Sequence, residues 1–230
     1  LDNALDANAW QWENHAMARL ETKLPNEASA QIKSAARRLF AEKGVDGVTV
    51  REIAAAAGQR NHGAVGYHFG SKEELVRALI RDGAIVIDER RNAWLDAAEA
   101  KGGPSSVREV ADILVRAATG LAPDGETEDS YIRFITMLGM SHREMFLDAL
   151  EGRWNSGYQR GLAHLRRLMP DMDTALQNQR LIFMGATVSA VLSMREAALN
   201  DTQKPHPMWQ TGDTVSHFID CLTAMLEAKP

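Results

Sequence analysis

Two stretches of this chain, Thr49-Val-Arg-Glu52 and Ser71-Lys-Glu-Glu74, share one pattern: a hydroxyl residue, then a glutamate three places on, leading into an apolar run. The hydroxyl takes a backbone N–H of the first helical turn while the carboxylate reaches back to the cap, so each stretch starts a helix. Gly58 ends the first helix within ten residues of its start. Upstream, Ile32, Ala35, Ala36, Leu39 and Phe40 repeat at i, i+3, i+4, i+7 and i+8 and stop at Gly44. The helix from Ser71 reaches Ala100 before Gly102-Gly103-Pro104 breaks it. Further helices are expected near 105–121, 128–150, 153–168, 173–200 and 211–228. They are punctuated by "APDGETED", "MPDMD" and the Pro205/Pro207 loop. No strand-like alternation of useful length occurs, so the expected class is all-α.

Residues 1–25 form a separate helical pattern with Trp10 and Trp12, ended by Pro25. Two readings of it stay open: a helix pinned to the body, or an arm reaching DNA or a partner subunit. The organisation expected is thus an extension over 1–25, a small domain over 26–75 and a larger helical domain over 76–230. A single cysteine, Cys221, excludes an internal disulfide and fits a reducing compartment, and the chain shows no signal peptide, so a cytoplasmic protein is expected. The longest apolar run, "LIFMGATVSAVLSM", is 14 residues, short of the roughly 20 a membrane span needs. It reads as a buried helix, with no membrane partner.

Charge narrows the partners. Residues 29–70 hold six basic side chains against three acids, on a chain of net charge −5, so the acidic excess lies in the remainder. A basic segment on an acidic body allows nucleic-acid contact through the small part only. Two short helices, 49–57 and about 63–68, flank a glycine turn, which is the layout of a helix-turn-helix. In that layout the start of the second helix faces base edges. Gln59, Arg60, Asn61, His62, Gly63 and Ala64 occupy that place. Arg, Asn and Gln can pair with guanine or adenine edges, and small residues let the backbone come close. Thr49 and Arg51 on one side, and Tyr67, His68 and Lys72 on the other, are candidate phosphate contacts.

These residues carry a resemblance. "SAARRLFAEKGVDGVTVREIAAAAG" followed by "GAVGYHFGSKEELVRAL", roughly residues 32–80, resembles the TetR/AcrR family of transcriptional regulators. The aromatic element Gly66-Tyr67-His68-Phe69 has its tyrosine one place later than the family's usual string, and the Gly58-to-Phe69 interval is one residue longer, which implies an enlarged turn. The resemblance implies a homodimeric repressor that leaves a pseudo-palindromic DNA operator when a small apolar or amphipathic effector binds. The rival class is a helical ligand-binding protein or enzyme whose amino-terminal domain only resembles a DNA reader. No catalytic residue, cofactor or metal is expected. His62 and His68 lack a Cys or acidic partner at ligand spacing. "GMSHR" at 139–143 lacks the second glycine of a nucleophile elbow and reads as helix.

The larger domain offers two sets of apolar residues. Trp94, Phe134, Met137, Trp154, Tyr158 and Met184 line an effector cavity on one reading and plain core on the other. Arg133 and His142 are candidate polar anchors there, with surface exposure as the alternative. For assembly, Val215, Phe218, Ile219, Leu222, Met225 and Leu226 stripe the last helix, and Gly185, Ala186, Ser189 and Ala190 permit close helix approach on the one before. Together they form a four-helix dimer interface, or the stripe belongs to the internal core.

Overall fold

Thr49, Ser71, Ser106 and Asp173 each offer a side-chain oxygen to the backbone N–H three residues on, and each starts a helix in the computed structural model. The structure describes residues 27–122, 129–204, 206–211 and 213–229. The amino-terminal pattern with Trp10 and Trp12 lies outside the described residues, as does Pro205. Among the described residues the chain is helical throughout, with no strand. Three short-range helices come first: α1 (Glu27–Lys43), α2 (Val50–Ala56) and α3 (Ala64–Phe69). They are followed by α4 (Lys72–Glu99), α5 (Val107–Arg116), α6 (Tyr131–Ser141), α7 (Arg143–Ala149) and α8 (Ser156–Leu168). The chain closes with α9 (Thr174–Asn200), α10 (Pro207–Gln210) and α11 (Asp213–Glu227).

The apolar stripe of α1 is buried as its spacing requires: Ile32, Ala36 and Phe40 are fully enclosed. Phe40 stacks on Phe134 of α6 at 5.9 Å between ring centroids, joining α1 to the body through one continuous core. Burying such a ring contributes roughly 1.5–3 kcal/mol. Tyr131, one turn before Phe134, donates its hydroxyl to Ile80 O of α4 at 2.8 Å. Its ring lies flat on Gly83, where a Cβ would come within 2.2 Å, so only glycine lets α4 and α6 approach there.

The structure corrects three expectations about the helices. The helix expected over 128–150 is two, α6 and α7, broken at His142 (φ −134°, ψ 47°). The break lies inside "GMSHR" and serves a tertiary contact, because His142 Nε2 meets Asp46 Oδ2 of the α1–α2 loop at 3.0 Å. The stripe on α11 does not face outward as a unit. Ile219, Leu222 and Leu226 are fully enclosed and α11 packs on α5 and α9, so Ile219 and Leu222 belong to the monomer core. Val215, Phe218 and Met225 are half-buried against that core.

The third correction concerns α9, expected to be a buried helix. It runs 27 residues, and only Arg180, Leu181, Met184, Leu192 and Glu196 are buried. Ile182, Phe183 and Met194 stand 68%, 56% and 62% exposed, with Ala186 and Ala190 exposed between them. By length and composition this helix is apolar enough to cross a membrane. Its buried ionic residues point elsewhere. Arg180 Nη1 donates to Leu226 O at 2.9 Å, and Glu196 caps α6, so one face is committed to a protein interior.

Candidate nucleic-acid interface

The pair α2–α3 is built from short-range bonds. Thr49 Oγ1 accepts the Glu52 N–H at 3.2 Å while Thr49 N–H donates to Glu52 Oε2 at 2.8 Å, completing the reciprocal cap. Those Thr49 bonds, with Lys43 Nζ at 3.2 Å, hold the Glu52 carboxyl down to about 2. Ile53 and Ala54 turn inward onto α1. At the far end Gly58 adopts φ +67°, a left-handed conformation that a side chain would strain, and Gln59 N–H closes the helix on Ala54 O at 2.9 Å.

The turn 58–63 then presents its side chains unequally. Gln59 does not face outward: its amide Nε2 donates to Gln31 Oε1 of α1 at 3.1 Å and to Ala57 O at 3.2 Å, so it ties the turn to the domain. Arg60, Asn61, His62 and Gly63 are exposed. Asn61 shapes the turn with one end only. Its Oδ1 accepts the Gly63 N–H at 2.8 Å and its backbone carbonyl accepts the Ala64 N–H at 3.1 Å, which leaves the amide NH2 pointing out. In α3, Ala64 and Val65 are buried, so Ala64 packs inward rather than reading a groove. Gly66 and Tyr67 form the outer face, with Tyr67 85% exposed and its ring edge-on to the half-buried His68 at 5.0 Å.

The flanking contacts divide in the same way. Arg51 and Arg60 are exposed and make no ion pair among the described residues. Thr49 is exposed, but its hydroxyl is spent on the cap. Lys72 departs furthest from expectation. Its Nζ donates to Val45 O and Val48 O, both at 3.0 Å, fastening the start of α4 to the α1–α2 loop. Lys72→Ala is therefore expected to lower stability to urea by about 1–3 kcal/mol, since two carbonyls lose their donor. Loss of a phosphate contact would instead leave the unfolding midpoint alone and lower the salt slope of DNA binding by about one.

What the sequence did not reveal is how the three-helix unit is held to the body. Lys33 pairs with Asp82 at 2.8 Å, Asp46 meets His142, and Arg77 of α4 pairs with Asp148 of α7. Helix α4 leaves α3 after a single turn, at Gly70 (φ +81°) and the Ser71 cap, and continues through the body for 28 residues.

The six residues expected to line an effector cavity sit in unlike surroundings. Phe134 and Met184 are fully enclosed core, and Met137 reaches the Gly44 turn. Trp94 is exposed, and Trp154 lies beside the Arg153 guanidinium at 5.6 Å. Tyr158 is different, lying under Arg91 at 5.2 Å with its hydroxyl toward Gly185 of α9. Burial lowers the Arg91 pKa to about 10, the nearby Tyr158 and Asp88 opposing that shift. Arg133 is half-buried and engaged through its backbone, and the cavity between α1 and α4 described below contains none of the six expected lining residues.

Residues 32–79 match the family profile described as bacterial regulatory proteins, tetR family. Over 65 residues the chain is 45% identical to the HTH-type transcriptional repressor AcnR of Corynebacterium glutamicum, covering 28% of this chain and 34% of that protein. Over 64 residues it is 42% identical to the HTH-type transcriptional regulator TtgR of Pseudomonas putida, covering 28% of this chain and 30% of that protein. The chain thus spans about a third of the length of the curated relatives it matches. The fold extends further than the sequence likeness. A bacterial regulatory protein in the tetR family from Rhodococcus RHA1 superposes over 88% of this chain and 98% of its own, with a TM-score of 0.57 at 18% identity.

Proposed function

We propose that this chain, whose residues 32–79 match the tetR family profile of bacterial regulatory proteins, is a sequence-specific DNA-binding transcriptional regulator of the repressor type. The observation that carries this reading is the exposure of Arg51, Arg60, Asn61, His62, Gly63, Gly66 and Tyr67 across the short α2–α3 unit, which leads directly into the long helix α4. In this assignment α3 enters the major groove, Arg60 and the Asn61 amide address base edges, and Arg51 and Tyr67 contact phosphates. Gln59, Ala64 and Lys72 position the unit rather than touch DNA.

The DNA is bound by two copies. An α9 face with Ile182, Phe183 and Met194 in water is unfavourable for a single chain, and a second copy of the same helix pairs it by two-fold symmetry. Ala186, on that face, and Gly185 beside it allow close approach. Residues 26–75 form the reader and 76–230 the body that dimerises and receives an effector. Selecting duplexes from a random pool with the full chain tests the reading. A two-fold symmetric site with half-sites about one helical turn apart, roughly 34–36 Å, is expected. Recovery of unselected sequence only would leave the rival class, a helical binding protein or enzyme.

A further inference from the structure

A cavity of about 1100 Å3 opens where α1 meets the body, and none of the residues assigned to DNA or expected to line an effector cavity lines it. One wall is α1, through Gln31, Ser34 and Arg38, and the other is α4, through Asp82, Gly83 and Val86. The two helices are bridged at this level by Lys33 and Asp82. Gly120 to Ala122 also line it, in a loop that Arg90 fixes by donating to Thr119 O at 2.8 Å and Gly120 O at 3.0 Å. Leu79, Leu121 and Tyr131 supply an enclosed apolar floor, and Val86 is 38% exposed above it. Four cations line the space against two carboxylates, Glu27 and Asp82.

We propose that this cavity between α1 and α4 binds an amphipathic organic anion, a carboxylate carried on an apolar tail. The apolar floor takes the tail, and the cationic excess at the α1 rim, where Arg38 is exposed, takes the carboxylate. The volume of about 1100 Å3 lies just above the roughly 300–1,000 Å3 typical of small-molecule sites, which calls for an organic occupant rather than a single inorganic ion. Its consequence for transcription rests on the regulator reading above: an occupant that touches α1 and α4 at once fixes the angle between reader and body, and so the spacing of the two reading heads.

Calorimetric titration of the full chain with decanoate, 2-naphthoate and decanol tests this, the two acids distinguishing a chain-like tail from a ring. One acid is expected to bind, with decanol about tenfold or more weaker for want of the charge. Val86→Glu sets a carboxylate over the floor, and Arg38→Glu reverses a rim charge; each should weaken the acid by about tenfold. Both positions are solvent-exposed, and unchanged helical circular dichroism confirms the fold. No binding of either acid up to about 1 mM, or equal affinity in wild type and both variants, overturns the proposal. DNA affinity is measured separately on the selected duplex. Loss of the regulator reading there, with acid binding still sensitive to Val86→Glu, leaves the site standing without its transcriptional role.

Discussion

Phe183→Asp is expected to turn the protein into a monomer in sedimentation and to lower its affinity for the selected two-half-site duplex by roughly 10²–10⁴-fold, the gain that linking two binding modules provides. The folded monomer has little reason to notice the change. Phe183 is 56% exposed on α9, and substitutions at such positions usually stay within about 0.5 kcal/mol. In the pair, two carboxylates would face an apolar seam near the two-fold axis without partners, and that desolvation is what separates the copies. Phe218→Asp tests something else. Phe218 is half-buried against the core that Ile219, Leu222 and Leu226 complete, so an acid there weakens the monomer before it reports on assembly. A Phe183→Asp protein that sediments as a dimer would move the interface off α9.

The contrast between these phenylalanines shows where sequence reasoning held and where it stopped. Helix starts were legible because caps act within three residues: Thr49 with Glu52 and Ser71 with Glu74 are local bonds. The α1 stripe was legible because one face is apolar and the opposite face is not. On α9 no such contrast exists. The helix is apolar nearly all round, so periodicity could not separate the buried side carrying Met184 from the exposed side carrying Phe183. Within the reader, residue types located the outward turn at Arg60, Asn61 and His62. They could not show that Gln59 would bond back to Gln31, 28 residues away, or that Lys72 would fasten the Val45 and Val48 carbonyls. The His142 break is likewise settled by Asp46, 96 residues upstream. Long polar side chains choose partners by tertiary proximity, and no spacing rule encodes that choice.

Glu196 is the extreme case, and it makes stability depend on pH. From the buried side of α9 its carboxyl reaches the first turn of α6, accepting Ile132 N–H at 3.0 Å and Arg133 N–H at 2.6 Å where Ser130 provides no side-chain cap. Burial, then the neighbouring Asp129 carboxylate, pushes its pKa up from 4.5 to about 8, against the two backbone donors. Between those values the folded protein keeps a proton that the unfolded chain has released. Stability attributable to this group is therefore full below pH 4.5 and is lost as pH rises through about 8. The whole span amounts to at most about 5 kcal/mol. Urea midpoints should fall between pH 6 and pH 8.5, and Glu196→Gln should flatten that fall. The amide cannot accept both N–H groups, so the variant should start about 1 kcal/mol less stable at pH 6. It should equal or exceed the wild type at pH 8.5, where the wild-type carboxylate is charged and enclosed beside Asp129. Parallel losses in the two proteins would assign the pH dependence to other groups. A crossing of the two curves would establish that one buried proton, held where α9 caps the first turn of α6, sets the fall of stability with pH.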